Sequence, residues 1–190
     1  MAVAISCKDQ LLPRHPLQAC DVLDNPWGVA YIRAARAGKL LARVLLAREQ
    51  GARPVVLVGF SLGALVVWEC LHEMCRLSEL GTARAAGVVQ SAVLMGLPAS
   101  ADAARWLRLR RVVAGRLINC YRPDDLVLSL VHRLTSAPLR HGIAGLQPVR
   151  LSAAPSSAVE SFDVSRLVSA HHKYRFALGP VLKHIGLVEA

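Results

Sequence analysis

Five residues, Gly59-Phe60-Ser61-Leu62-Gly63, lie between an apolar run and an amphipathic segment, and they constrain this chain more than anything else in it. Pro54-Val55-Val56-Leu57-Val58 is β-branched and apolar without alternation, as in a parallel strand buried on both faces. From Leu62 to about Arg76, the apolar residues Leu65, Val66, Leu71 and Met74 recur at helical spacing, with Glu69, Glu73 and Arg76 outside. Gly59 and Gly63 permit a sharp strand-to-helix turn that leaves the Ser61 hydroxyl at its apex. Negative charge forming at Ser61 would face the positive end of the helix, with the Leu62 N–H as first oxyanion donor. The plainer reading is that the glycines let a helix pack tightly on a strand and Ser61 is a bystander.

The rest of the chain repeats the alternation of strand and helix. Residues 1–24, punctuated by Pro13 and Pro16, read as an irregular lead-in to one domain over 25–190. Asn25-Pro26 suits a helix start, after which Val29, Ile32, Leu40, Leu41, Val44 and Leu45 line one face until Gly51 stops the helix. Further buried strands are expected at 91–96, 115–121 and 159–164. Helices are expected over 102–110, 126–133 and 172–185. The order predicts an α/β fold with a parallel sheet of about four strands flanked by helices.

Composition narrows the function. With 54% hydrophobic and 19% charged residues, 190 residues can bury a sizeable core. The longest uncharged apolar run, Val55 to Trp68, has 14 residues, short of the roughly 20 that cross a bilayer. The net charge of +10 comes from 19 Arg and 4 Lys, scattered except for Arg105, Arg108, Arg110, Arg111 and Arg116. With aromatic residues at 5%, there is no stacking ladder for nucleic acid, so no nucleic-acid partner is expected. Contact with acidic lipid headgroups fits the charge better. The five cysteines lack zinc-site spacing and the N-terminus lacks a signal pattern, so reduced thiols in a cytosolic setting are expected. No metal or organic cofactor is implied.

A serine hydroxyl needs a base, and the base needs an orienting acid. In an α/β-hydrolase the chain order is Ser, then acid, then His, with the latter two on loops at the carboxyl edge of the sheet. Here the strand at 115–121 runs into Asp124-Asp125, and the one at 159–164 is followed by His171-His172. Spacing alone does not choose within either pair. A turn cap and a solvated loop are the ordinary uses of such residues.

Several segments resemble the C-terminal hydrolase-like region of the transmembrane and coiled-coil domain-containing protein 4 family. They are Asp24-Asn25-Pro26-Trp27, 53–63, 112–119, Ile143-Ala144-Gly145-Leu146-Gln147-Pro148-Val149 and 162–171. The resemblance implies a partial α/β-hydrolase fold in a membrane-associated, cytoplasmic-facing protein. It also implies a lipase- or esterase-like site acting on a lipid or other acyl ester. The family's serine falls on Ser61, its acid on Asp125 (followed here by Leu126) and its histidine on His171 (preceded here by Ala170). Against that pattern the chain is expected to lack the N-terminal strands, including the one whose loop gives the second oxyanion donor. The strand at 55–58 would then present an open edge to a protein partner. A non-catalytic membrane-trafficking or interaction module on a hydrolase scaffold is the alternative.

Overall fold

The computed structural model describes residues 2–5, 26–49, 51–134, 141–151 and 158–188. Its strands are β1 (Ala2–Ile5), β2 (Val55–Phe60), β3 (Val89–Met95), β4 (Leu117–Tyr121) and β5 (Glu160–Asp163). Its helices are α1 (Pro26–Leu46), α2 (Leu62–Glu79), α3 (Ala103–Leu109), α4 (Leu126–Leu134) and α5 (Tyr174–His184). Single 3-10 turns follow α3 at Arg110–Val112 and precede α5 at His171–Lys173.

All strand pairs are parallel and the sheet order follows the chain, β1-β2-β3-β4-β5. The four strands β2 to β5 are those read from the sequence. The fifth corrects three expectations, the first being that the chain lacks the strand beside the elbow strand. Residues 2–5 are a strand rather than irregular lead-in, and β1 pairs along β2 from Ala2↔Val56 to Ile5↔Gly59, so that edge is not open. Residues 6–25, with Asn25, lie outside the described residues, as do 135–140 and 152–157 between α4 and β5.

Both faces of the central strands are buried, which is why they read as unbroken apolar runs. Leu57, Leu94 and Leu117 face the core under α1, α2 and α3. Val58, Val93, Met95, Ile118 and Cys120 face the opposite core, closed by Val164, Val168 and one side of α5.

Helix α1 differs from its expected face. Ala34, Gly38, Ala42 and Leu45 are buried, whereas Ile32 and Leu40 are exposed, Leu40 by 63%. Small residues four apart let α1 approach α2 so closely that a Cβ on Gly38 would stand 2.5 Å from the Val66 carbonyl oxygen. We expect Gly38→Leu to cost about 2 kcal/mol or more, and Leu40→Ser less than about 0.5 kcal/mol. Urea unfolding of the two variants measures this contrast.

Two further expectations need correction. The α1 helix ends at Leu46, with Arg48 at φ 58, ahead of Gly51. Glu73, expected outside α2, is 5% exposed. A bidentate bond from Arg76, at 2.7 Å through both Nε and Nη2, neutralises its charge and holds its carboxyl below the usual range.

Candidate active site

The turn from β2 into α2 puts Ser61 at φ 53 and ψ −125, a conformation few non-glycine residues adopt. The surrounding backbone holds it there. The Ser61 N–H donates to the Met95 carbonyl at 2.9 Å, and its own carbonyl accepts from the Leu65 N–H at 3.1 Å. A Cβ on Gly59 would lie 2.6 Å from the Gly63 carbonyl carbon and 2.7 Å from the Ala64 nitrogen, so only glycine fits at 59. Leu62 is the first residue of α2, and its N–H is among those without an intrahelical acceptor.

The carboxyl ends of β4 and β5 supply the other two side chains. The Ser61 hydroxyl donates to His171 Nε2 at 2.7 Å. On the far side of the ring, His171 Nδ1 donates to Asp125 Oδ2 at 2.7 Å. This tautomer follows from the carboxylate, which can only accept. Asp125 is wholly buried, and its other oxygen accepts from the backbone N–H groups of Val127 (3.1 Å) and Leu128 (3.2 Å) at the start of α4. The His171 side chain is 11% exposed.

The geometry separates the neighbours that spacing left paired. Asp124 is exposed, and Arg122 bonds both its oxygens at 2.7 and 2.8 Å, lowering its pKa through the guanidinium beside it. His172 is exposed and has no part in the chain from Ser61 to Asp125. His184 lies edge-on to Phe162, and the His141 carbonyl accepts from Gln147.

Residues not singled out from sequence hold this arrangement in place. Tyr174 is buried, edge-on to His171 at 5.8 Å between ring centroids and stacked with Phe60 at 6.5 Å. Its ring covers Gly96, where a Cβ would come within 2.9 Å of Tyr174 Cε2. Burial and the nearby Asp125 carboxylate raise the Tyr174 pKa, so the phenol stays neutral. The segment 143–149, distinctive in sequence but mute about its role, packs Gly145 against the backbone of Gly96 and Leu97 and against Leu128. Asn119 Nδ2 donates to the Ala144 (2.9 Å) and Gln147 (3.1 Å) carbonyls, fixing that segment to β4. The Gly145 carbonyl in turn accepts from the Arg122 N–H at 2.9 Å, which sets the loop carrying Asp125.

Other reactive groups are placed elsewhere. Cys70, Cys75 and Cys120 are buried free thiols, with pKa values pushed up to about 12, 11 and 12 by burial. They are poor nucleophiles at neutral pH. Among the described residues no group of three or more His, Cys, Asp or Glu could hold a metal ion. An open cleft of about 460 Å³ between α2 and α3 is lined by Trp68, Glu69, His72, Ala104, Arg105 and Arg108. Burial, then Arg105 and Arg108, lower His72 from 6.5 to about 4. Between those values the unfolded chain binds a proton that the folded chain refuses, so His72 makes stability fall as pH falls through this window. Urea unfolding at pH 7 and pH 5 should show wild type losing about 1 kcal/mol more than His72→Gln, after allowance for solvent screening.

The basic stretch is largely engaged within the chain. Arg108 and Arg111 pair with Glu79, and Arg110 bonds the Val113 carbonyl. Arg116 makes a bidentate bond to Glu160 at 2.8 and 2.7 Å, tying β4 to β5.

Residues 5–188 match the family described as "Protein of unknown function (DUF726)". The chain belongs to this family. It is 41% identical over 175 residues to the transmembrane and coiled-coil domain-containing protein STS1 of Oryza sativa, covering 92% of this chain and 25% of that protein. An uncharacterized membrane protein of Schizosaccharomyces pombe is 40% identical over 173 residues, covering 91% and 28% respectively. The probable lipase MIL1 of Saccharomyces cerevisiae is 36% identical over 168 residues, covering 87% and 14%. The chain thus spans less than a third of the length of these relatives. No solved structure matches it. Relatives are named as membrane proteins, while no helix among the described residues is long and apolar enough to cross a membrane.

Proposed function

We propose that this domain is a serine hydrolase that cleaves acyl esters of lipids. The observation that carries the reading is the continuous chain of hydrogen bonds from Ser61 through His171 to Asp125, 2.7 Å at each step. In this reading Ser61 Oγ attacks the ester carbonyl while His171 Nε2 takes the hydroxyl proton. Asp125 holds the ring in its tautomer and stabilises the imidazolium, and the Leu62 N–H donates to the oxyanion. When the tetrahedral intermediate collapses, His171 returns the proton to the departing alcohol and the acyl group stays on Ser61. Water, deprotonated by His171, then releases the acid and restores the serine.

The second oxyanion donor of such a site comes from the loop after the strand beside the elbow strand. In this chain β1 holds that position. The probable-lipase name of one relative and the membrane-protein names of others support a lipid substrate and work at a membrane.

The test is hydrolysis of carboxyl esters graded by acyl length. Turnover above the buffer rate, rising with chain length, is the expected result. Absence of turnover at every length, in protein shown to be folded, would contradict the proposal.

A further inference from the structure

The His171–Lys173 turn, against which α4 packs and from which α5 starts, is flanked by apolar side chains left in water. Leu126, next to the buried Asp125, is 82% exposed, and Leu130, one turn along α4, is also exposed. Leu128 between them is buried, so α4 anchors by one face and holds Leu126 and Leu130 on another. Phe176, in the first turn of α5, is 66% exposed, and Leu167, shortly before His171 in the chain, is exposed as well. These are neighbours in the chain of the residues that form the site.

Charge says what such a rim would meet. Two cations attend the Phe176 ring, with Lys173 Nζ 5.6 Å and Arg175 Cζ 4.5 Å from its centroid. The exposed acid nearest to Leu126, Asp124, is already paired with Arg122. An exposed aromatic ring with cations over it, beside exposed leucines, suits the headgroup boundary of an anionic bilayer. There the ring and leucines enter the acyl border and the Lys173 ammonium meets phosphates. His171 itself, 11% exposed at the side chain, belongs to the turn that these residues flank in the chain.

We propose that Leu126, Leu130, Leu167 and Phe176, with Lys173 and Arg175, form a face that seats the site on an anionic phospholipid bilayer. The face deepens the hydrolase reading, and its claim to deliver the ester rests on that reading. Binding itself does not require catalysis, so the two can fail separately.

The experiment is flotation of the Ser61→Ala chain with phosphatidylcholine vesicles, with and without phosphatidylserine. In parallel, the catalytically intact chain is labelled with a fluorophosphonate in vesicle-free solution. Binding to the phosphatidylserine vesicles is expected, weakened by salt. Phe176→Ser and Leu126→Ser should each weaken it roughly tenfold, the worth of one large apolar side chain withdrawn from lipid. Lys173→Gln should weaken it several-fold only when phosphatidylserine is present. Fluorophosphonate labelling of Phe176→Ser should match that of the unaltered chain. A chain that labels but does not bind vesicles would overturn the docking face, as would binding indifferent to Phe176→Ser and Leu126→Ser. So would a dimer dissociated by Phe176→Ser, which would give the rim to a second copy. Vesicle binding lost in those variants, in a chain that does not label, would support the face and overturn the hydrolase reading.

Discussion

Replacing Ser61 or His171 with alanine is expected to lower ester turnover by about 10⁵–10⁶-fold, and replacing both should cost little more than either alone. The two act as one unit, because a hydroxyl without its base is hardly nucleophilic and a base without the hydroxyl has nothing to activate. Asp125→Asn should cost about 10⁴-fold, since an amide facing Nδ1 favours the tautomer that cannot accept the Ser61 proton. The neighbouring change Asp124→Asn removes a surface ion pair with Arg122 and should leave turnover within about threefold. Steady-state rates of the five variants, with circular dichroism to establish folding, check the assignment. Equal losses at Asp124 and Asp125 would contradict it.

Gly59→Ala should also lower turnover, although position 59 contributes no side chain to the chemistry. Its new methyl would fall 2.6–2.7 Å from the backbone of Gly63 and Ala64, atoms fixed in the first turn of α2. Relief requires α2 to move off β2, and Ser61 sits at that junction. A shift of about 1 Å there is enough to cost about 10²-fold in rate. Overpacking should also cost about 1–3 kcal/mol of stability. Gly51→Ala tests the opposite case: it meets open space, so any loss there comes from its φ of 91 alone. Urea unfolding and ester hydrolysis on the two variants separate displacement of the elbow from general destabilisation.

The parts of the fold that were legible in sequence are those governed by local pattern. Strand β2 and the Gly59–Gly63 turn were readable because a strand buried on both faces leaves a bare apolar run and a tight turn demands glycine. The buried face of α1 was not. An apolar count favours Ile32 and Leu40, but the contact is decided by how closely α2 can approach, which selects Ala34, Gly38 and Ala42. Glu73 is buried because Arg76 bonds it within α2 and Arg43 of α1 lies 3.9 Å away, a pairing that needs both helices in place. The β1 strand is four residues long and carries no flanking signal strong enough to distinguish it from a loop.

At the site, chain order pointed to the two loops but not to one residue in each. Choosing Asp125 over Asp124 from the side chains themselves needed the α4 N-terminus, whose Val127 and Leu128 N–H groups hold one carboxylate oxygen while the other faces His171. Tyr174 and Gly96 left no sequence signal, because their role is the fit of a ring onto a bare Cα.

The most direct test of the account is the mass of the intact protein after reaction with a fluorophosphonate, followed by peptide mapping. One adduct on Ser61, absent from the His171→Ala variant, is the predicted result. An unmodified folded protein, or an adduct on any other residue, would contradict the assignment of Ser61 and His171 as a nucleophile and its base.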